Sequence, residues 1–480
     1  MEIEFERCYR AIQSRDSRFD GLFVTAVTTT GIYCRPICPA QTPHPENVRF
    51  YRFPAAAEAA GFRACRRCRP EASPGSPDWN TRADLAGRAL RLIAGGVADL
   101  EGVAGLAQRL HVSPRHLHRE LVAAVGAGPL ALARTRRAQT ARMLIDQTTL
   151  SMTEIAFASG FASVRQFNET MLASFGAHPS ALRRRGRPGE LAGGALVLRL
   201  AYRPPLDAAA LLGFFARRTI SGVEEVQEGR YRRTITLPRA RGVIELAPAL
   251  DKPWVTLRAR VDDVRDVGAL AARARRLFDL EADPAAVGVA LSADPALAPL
   301  VAARPGLRVP GAVDGFEMAV RAIVGQQVSV AGARATLGKL TARIGQPLAS
   351  PDGALTHEFP TAAAITEGDL DGLMPQARAA SLRGLARAVA SGELTLDASA
   401  DRDETRAQLL ALPGVGPWTV EYLAMRALGD PDAWPGTDLG IKQAAERLGL
   451  SGAGALAERA ESWRPWRAYA AQHLWASLTA

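Results

Sequence analysis

Residues 412–419 read Leu-Pro-Gly-Val-Gly-Pro-Trp-Thr, and residues 434–443 read Trp-Pro-Gly-Thr-Asp-Leu-Gly-Ile-Lys-Gln. In the first stretch two glycines make a tight turn and Pro417 opens a helix. Gly414 and Gly416 let the backbone approach a phosphate closely, and the helix start behind them offers unpaired N–H groups. This is the pattern of a helix-hairpin-helix, a clamp for the nucleic-acid backbone that reads no sequence. About twenty residues later, Thr437-Asp438 has the composition of a helix cap.

Working outward, the apolar residues from about 312 onward follow helical spacing. Residues 195–260 instead alternate as strands do, in ALVLRLAYR, YRRTITL, GVIEL and WVTLRARV. The rear half therefore reads as a small β-rich subdomain followed by an all-helical domain. Two stretches have linker composition: residues 70–78, rich in Pro, Ser and Gly, and residues 183–194, a basic run followed by glycines. The expected parts are 1–76, 80–188, 195–305 and 306–480. The expected fold class is multidomain and mainly α, with a small α+β part.

The chain has 480 residues, more than one compact core accommodates. Its 48% hydrophobic and 22% charged content is that of globular proteins and excludes a mostly disordered or fibrous chain. The start is charged from the second residue and lacks an apolar h-region, and no run of 18 apolar residues occurs, so the expectation is a cytoplasmic protein with no membrane partner. The net charge is +10, of which residues 1–190 carry +9. A basic front half points to a polyanion, most simply DNA.

All five cysteines lie in the first 70 residues. Cys34-x3-Cys38 and Cys65-x2-Cys68 are two close thiol pairs that together supply four ligands to one tetrahedral Zn²⁺. Spacing alone fits a structural zinc site as well as a reactive one. Cys8 stands apart and reads as a free, partly buried thiol.

Residues 97–187 contain two helix-turn-helix patterns. In the first, Ser113 and Pro114 cap and open a helix presenting Arg115, His116, His118 and Arg119. In the second, Gly160 marks the turn, Ser163 caps, and Arg165, Gln166, Asn168 and Glu169 face outward, with Phe161, Phe167 and Phe175 on the packing face. Polar donors over a buried apolar face are what a major-groove helix needs. One long helix near 130–146 joins the pair.

Each part also resembles a known family. Residues 5–72, with FDGLFVTAVTTTGIYCRPICPA and GFRACRRCRP, resemble the N-terminal zinc domain of the Ada family. The resemblance implies that Cys34 accepts a methyl group from a DNA methylphosphotriester. It also implies that Cys38, Cys65 and Cys68 complete the zinc site, one ion per chain, with Arg35, Arg66 and Arg67 toward DNA. The middle resembles the AraC-type transcription factor domain, which implies promoter DNA and RNA polymerase as partners. Residues 195–480 resemble AlkA-type 3-methyladenine DNA glycosylase II. That implies excision of alkylated purines, with Asp438 catalytic and Trp418, Tyr422 and Trp475 around an extruded base; core packing of these rings is the other reading. Trp463 and Trp466 read as core.

Two departures carry expectations. Lyase-type relatives have a Schiff-base Lys where this chain has Trp418, so monofunctional hydrolysis is expected. Some relatives have a Leu wedge where this chain has Gln327. No cysteine follows Cys68, so the O6-methylguanine methyltransferase activity of Ada-family chains is not expected here. The competing reading is a transcription factor whose rear half only holds damaged DNA.

Overall fold

The computed structural model describes residues 4–74, 84–183, 195–397, 400–450 and 452–478. Residues 75–78 and 184–194 of the expected linkers lie outside the described residues. Residues 70–74 are more ordered than their composition suggests: Pro70–Ala72 forms a short 3-10 helix with Pro70 buried. Mainly helical parts with small sheets make up the chain, as its patterning implies. Among the described residues no helix is long and apolar enough to cross a membrane.

The chain forms two compact units. The first comprises residues 1–203, 237–240 and 249–272. It opens with the helix Phe5–Ser14, whose buried Cys8, Ala11 and Ile12 pack with Phe23 and Val48. Four short strands follow in the order Val48–Tyr51, Val24–Val27, Ile32–Cys34, Arg63–Ala64. The last pair is parallel, with Ile32 opposite Arg63 and Tyr33 opposite Ala64.

The helical part of this unit turns on caps legible in the sequence. The Ser113 side chain accepts from the His116 amide and Ser163 from the Gln166 amide, opening the helices Pro114–Val125 and Val164–Phe175. Ser151 and Glu154 form a capping box before Met152–Ala158. The joining helix runs Pro129–Gln147. Glu58 ties it to the strands, accepting from Tyr33 Oη at 2.8 Å and from Thr135 Oγ1 at 2.6 Å. Arg69 adds ion pairs to Asp146 and Glu71. The strands Leu196–Ala201 and Trp254–Val261 pair antiparallel.

The second unit comprises residues 204–236, 241–248 and 273–480. Glu224–Gln227, Arg230–Thr236 and Arg241–Pro248 form an antiparallel meander. Buried charges bind it to the helix Gly315–Val324: Arg233 meets Glu317 at 2.6 Å, and Arg321 meets Glu224 at 2.8 Å. The helices beyond enclose two apolar cores, one around Ile323, Leu382 and Leu423, the other around Ile441, Trp463 and Leu474. One feature departs from the all-helical expectation, a hairpin of Pro347–Asp352 with Leu355–His357. Its cause is local. Asp352 pairs with Leu355, so the turn is Gly353-Ala354, and Gly353 takes the positive φ (+63°) that its first position requires.

Candidate functional site

The parallel strand pair assembles the cysteines. Because Tyr33 pairs with Ala64, the next residues, Cys34 and Cys65, emerge side by side. Turns closed by Cys38 N–H on the Arg35 carbonyl (3.1 Å) and by Arg69 N–H on the Cys65 carbonyl (3.1 Å) fold Cys38 and Cys68 back onto them. The four sulfurs lie within 4.8 Å of one another. Ligands of a tetrahedral Zn²⁺ stand about 3.8 Å apart, so the cluster fits that ion. So close, the thiols cannot all ionise unaided: S–H bonds from Cys34, Cys38 and Cys68 pull Cys65 down, and Cys34 is pushed up in return.

The charged neighbours divide into two sets. Arg35, expected toward DNA, is spent internally. Its guanidinium pairs with Asp20 and its amide donates to Cys68 Sγ at 3.3 Å. That amide is an outer hydrogen bond of the kind that tunes a metal-bound sulfur. Arg66 and Arg67 are exposed, and among the described residues neither is held in an ion pair. Cys8 is buried away from the cluster, and burial pushes its thiol to about 11.

On the helix-turn-helix part, Arg115, Arg119, Arg165 and Gln166 are exposed, while His116 and Asn168 are half-buried. Arg119 contacts His116 at 2.7 Å, and Arg165 pairs with Glu169 at 2.9 Å. Phe161, Phe167 and Phe175 are buried.

In the second unit the hairpin and Asp438 share one cavity of about 1620 Å³. Gly414 takes φ +81°, which an L side chain rarely adopts. Gly416 has nothing within 4 Å of an added Cβ, so it leaves open space in front of the helix Pro417–Arg426. No side chain caps that helix, and its first amides are free for an anion.

Asp438 caps the helix Leu439–Arg447, its Oδ1 accepting from the Ile441 amide at 3.0 Å. Two indoles complete its surroundings: Trp418 Nε1 donates to Oδ2 and Trp475 Nε1 to Oδ1, both at 2.7 Å. Trp418 stacks on Tyr422 with centroids 5.1 Å apart, and Trp475 meets Tyr422 edge-on at 6.4 Å. All three rings are half-buried and line the cavity. Trp463 is buried, donating to Asp294 at 2.7 Å, and Trp466 packs edge-on against Tyr469. No lysine lines the cavity.

Gln327, exposed at the cavity rim, has φ +56°. Its neighbour Gln326, which sequence reasoning passed over, ties this rim to the hairpin. Gln326 Nε2 donates to the Gly414 carbonyl at 3.0 Å and to Thr419 Oγ1 at 2.9 Å. Arg426 was also missed. It donates to Tyr422 Oη at 2.7 Å. Its place four residues after Tyr422, on the same helix face, was the available signal.

Three family models match the chain. The metal binding domain of Ada matches residues 7–71, a helix-turn-helix domain residues 106–185, and the AlkA N-terminal domain residues 197–314. A "probable bifunctional transcriptional activator/DNA repair enzyme AlkA" of Mycobacterium tuberculosis H37Rv is 50% identical, covering 100% of this chain and 97% of its own. "DNA-3-methyladenine glycosylase 2" of Escherichia coli K12 is 37% identical over 58% of this chain and 95% of its own. "Bifunctional transcriptional activator/DNA repair enzyme Ada" of the same organism is 36% identical over 34% of this chain and 46% of its own. With similarity sustained along its whole length, the chain belongs to the family of AlkA-type bifunctional transcriptional activator/DNA repair enzymes.

Proposed function

We propose that this chain senses, reports and repairs alkylated DNA, using four parts at 1–76, 80–188, 195–305 and 306–480. The observation that carries the repair function is Asp438, held by two indole N–H groups beside an aromatic cavity and a glycine hairpin.

In the front part Cys34, Cys38, Cys65 and Cys68 would hold one zinc ion per chain, and that ion would keep the sulfurs ionised at neutral pH. Cys34 Sγ attacks the methyl carbon of a DNA methylphosphotriester. The S–C bond forms as the C–O bond breaks, and the electron pair stays on the phosphate oxygen. The thioether is permanent, so each chain reacts once. Alkylation of Cys34 removes one negative charge from the four-sulfur cluster. That lessens its repulsion of phosphate and leaves the field to Arg66 and Arg67. The helix-turn-helix pair then binds promoter DNA through Arg115, His116, Arg119, Arg165, Gln166 and Asn168, and transcription is activated through RNA polymerase.

In the rear part Gly414 and Gly416 bring the hairpin against the DNA backbone and Gln327 enters the gap left by the extruded nucleotide. An alkylated, electron-poor purine enters the pocket walled by Trp418, Tyr422 and Trp475, where the indole rings offer stacking faces. Breaking its glycosidic bond sends the electron pair into the base. Asp438 stabilises the positive sugar and directs water to C1′, leaving an abasic site. No amine is placed to form a Schiff base, so the strand is left uncut.

The test is incubation with a duplex carrying 3-methyladenine. Free base and an intact strand bearing an abasic site support the proposal. Tight binding with the base retained would support the holding-only reading instead.

A further inference from the structure

Arg426 ends the helix Pro417–Arg426 and is 5% exposed, yet no carboxylate pairs with it among the described residues. Its charge is met by the Tyr422 hydroxyl at 2.7 Å, the Gly311 carbonyl at 3.3 Å and the ring faces of Phe214 and Tyr422, 4.6 and 5.4 Å away. Its Nε has no acceptor. Burial, with repulsion from Arg218 and Arg321, lowers its hold on the proton. A lone buried cation is costly to keep, which calls for a function.

The chemistry of the contact is asymmetric. A guanidinium only donates hydrogen bonds. Tyr422 Oη is therefore the acceptor, and its own proton must point away from Arg426. Among the described residues that hydroxyl has no acceptor, and Tyr422 lines the cavity with Trp418 and Trp475. A molecule held there is the partner left for the proton.

We propose that Arg426 is a positioning residue that fixes Tyr422 as a hydrogen-bond donor to the extruded base and so tilts excision toward neutral purines. The inference rests on reading the cavity as a base pocket. When C1′–N9 breaks, both electrons enter the base. A cationic alkylated purine thereby becomes neutral and needs little help. A neutral purine with a ring carbonyl departs as an anion, which a phenol O–H polarised by a buried cation stabilises. Water adds to C1′, and the proton it loses finally neutralises the departed base. To a base already positive the same cation offers no gain.

Single-turnover excision by the full chain tests this with two duplexes, one carrying 7-methylguanine (cationic) and one hypoxanthine (neutral). In Tyr422→Phe and Arg426→Met the hypoxanthine rate falls at least tenfold further than the 7-methylguanine rate. Arg426→Lys, still a pure donor, recovers part of that difference. Should Arg426→Met fail to fold by circular dichroism, Tyr422→Phe and Arg426→Lys carry the comparison. Equal falls on both substrates overturn the inference, as does a wild type that releases 7-methylguanine but no hypoxanthine. A wild type that releases neither overturns the base-pocket reading itself.

Discussion

Trp475 aims its indole N–H at Oδ1 of Asp438 from 2.7 Å, and that carboxylate also receives Trp418 and the Ile441 amide. Three donors on two oxygens leave the group one orientation. The rings that would wall a base pocket thus also fix the carboxylate beside it, so pocket and chemistry share the same side chains.

Trp475→Phe keeps a ring but removes a donor. A hydrogen bond to a charged group contributes about 1.5–3 kcal/mol, so the excision rate should fall roughly tenfold to a hundredfold. Single-turnover release of 3-methyladenine measures it. An unchanged rate would show that the indole N–H does not direct Asp438.

In the part that carries the zinc cluster, the opening helix and strands share a small apolar cluster of Cys8, Ala11, Ile12, Phe23 and Val48. Such a domain draws much of its stability from the metal. Elemental analysis should find one zinc per chain, and Cys65→Ser should lose it and lower the temperature at which the first unit melts. After exposure to methylphosphotriester DNA, peptide mass spectrometry should find one methyl group, on Cys34.

Arg66 and Arg67 are the exposed basic residues beside that cluster, whereas Arg35 is committed to Asp20. Replacing either exposed arginine by Ala should weaken binding of all DNA sequences alike and reduce the slope of log K against log salt by about 1. Arg35→Ala should instead act on the zinc module, measurable as faster loss of metal to a chelator.

Glu317 is buried between Arg233 and Arg321. Burial pushes its carboxyl up, but the two guanidinium groups outweigh this and hold it at about 2. A depressed carboxyl stabilises the fold above its unfolded pKa of about 4.3. That stability fades as pH falls toward 2. Glu317→Gln leaves two buried cations undercompensated and should cost about 3–5 kcal/mol in urea unfolding at pH 7. A loss below about 1 kcal/mol would mean the cluster contributes little.

Much of this architecture was legible because it is written locally. The four thiols are two short spacings, and the caps Ser113 and Ser163 each precede their own helix. The hairpin at 347–357 was equally local in its turn glycine, Gly353, but helical spacing around it masked the signal. What stayed hidden depends on tertiary direction. Sequence grouped Trp418, Tyr422, Trp475 and Asp438, yet could not say that the indole N–H groups point at the carboxylate, since the helix Arg467–Ser477 must pack first. Nor could it see Arg35 spent on Asp20, fifteen residues upstream and brought near by the strands.

Base release from 3-methyladenine DNA by the wild type and by Asp438→Asn bears most directly on the account. The asparagine keeps the shape and the helix cap but not the charge. The wild type should free the base, and the variant should be slower by about a hundredfold or more. Equal release by the two proteins would contradict the assignment of Asp438 as the group that carries the reaction.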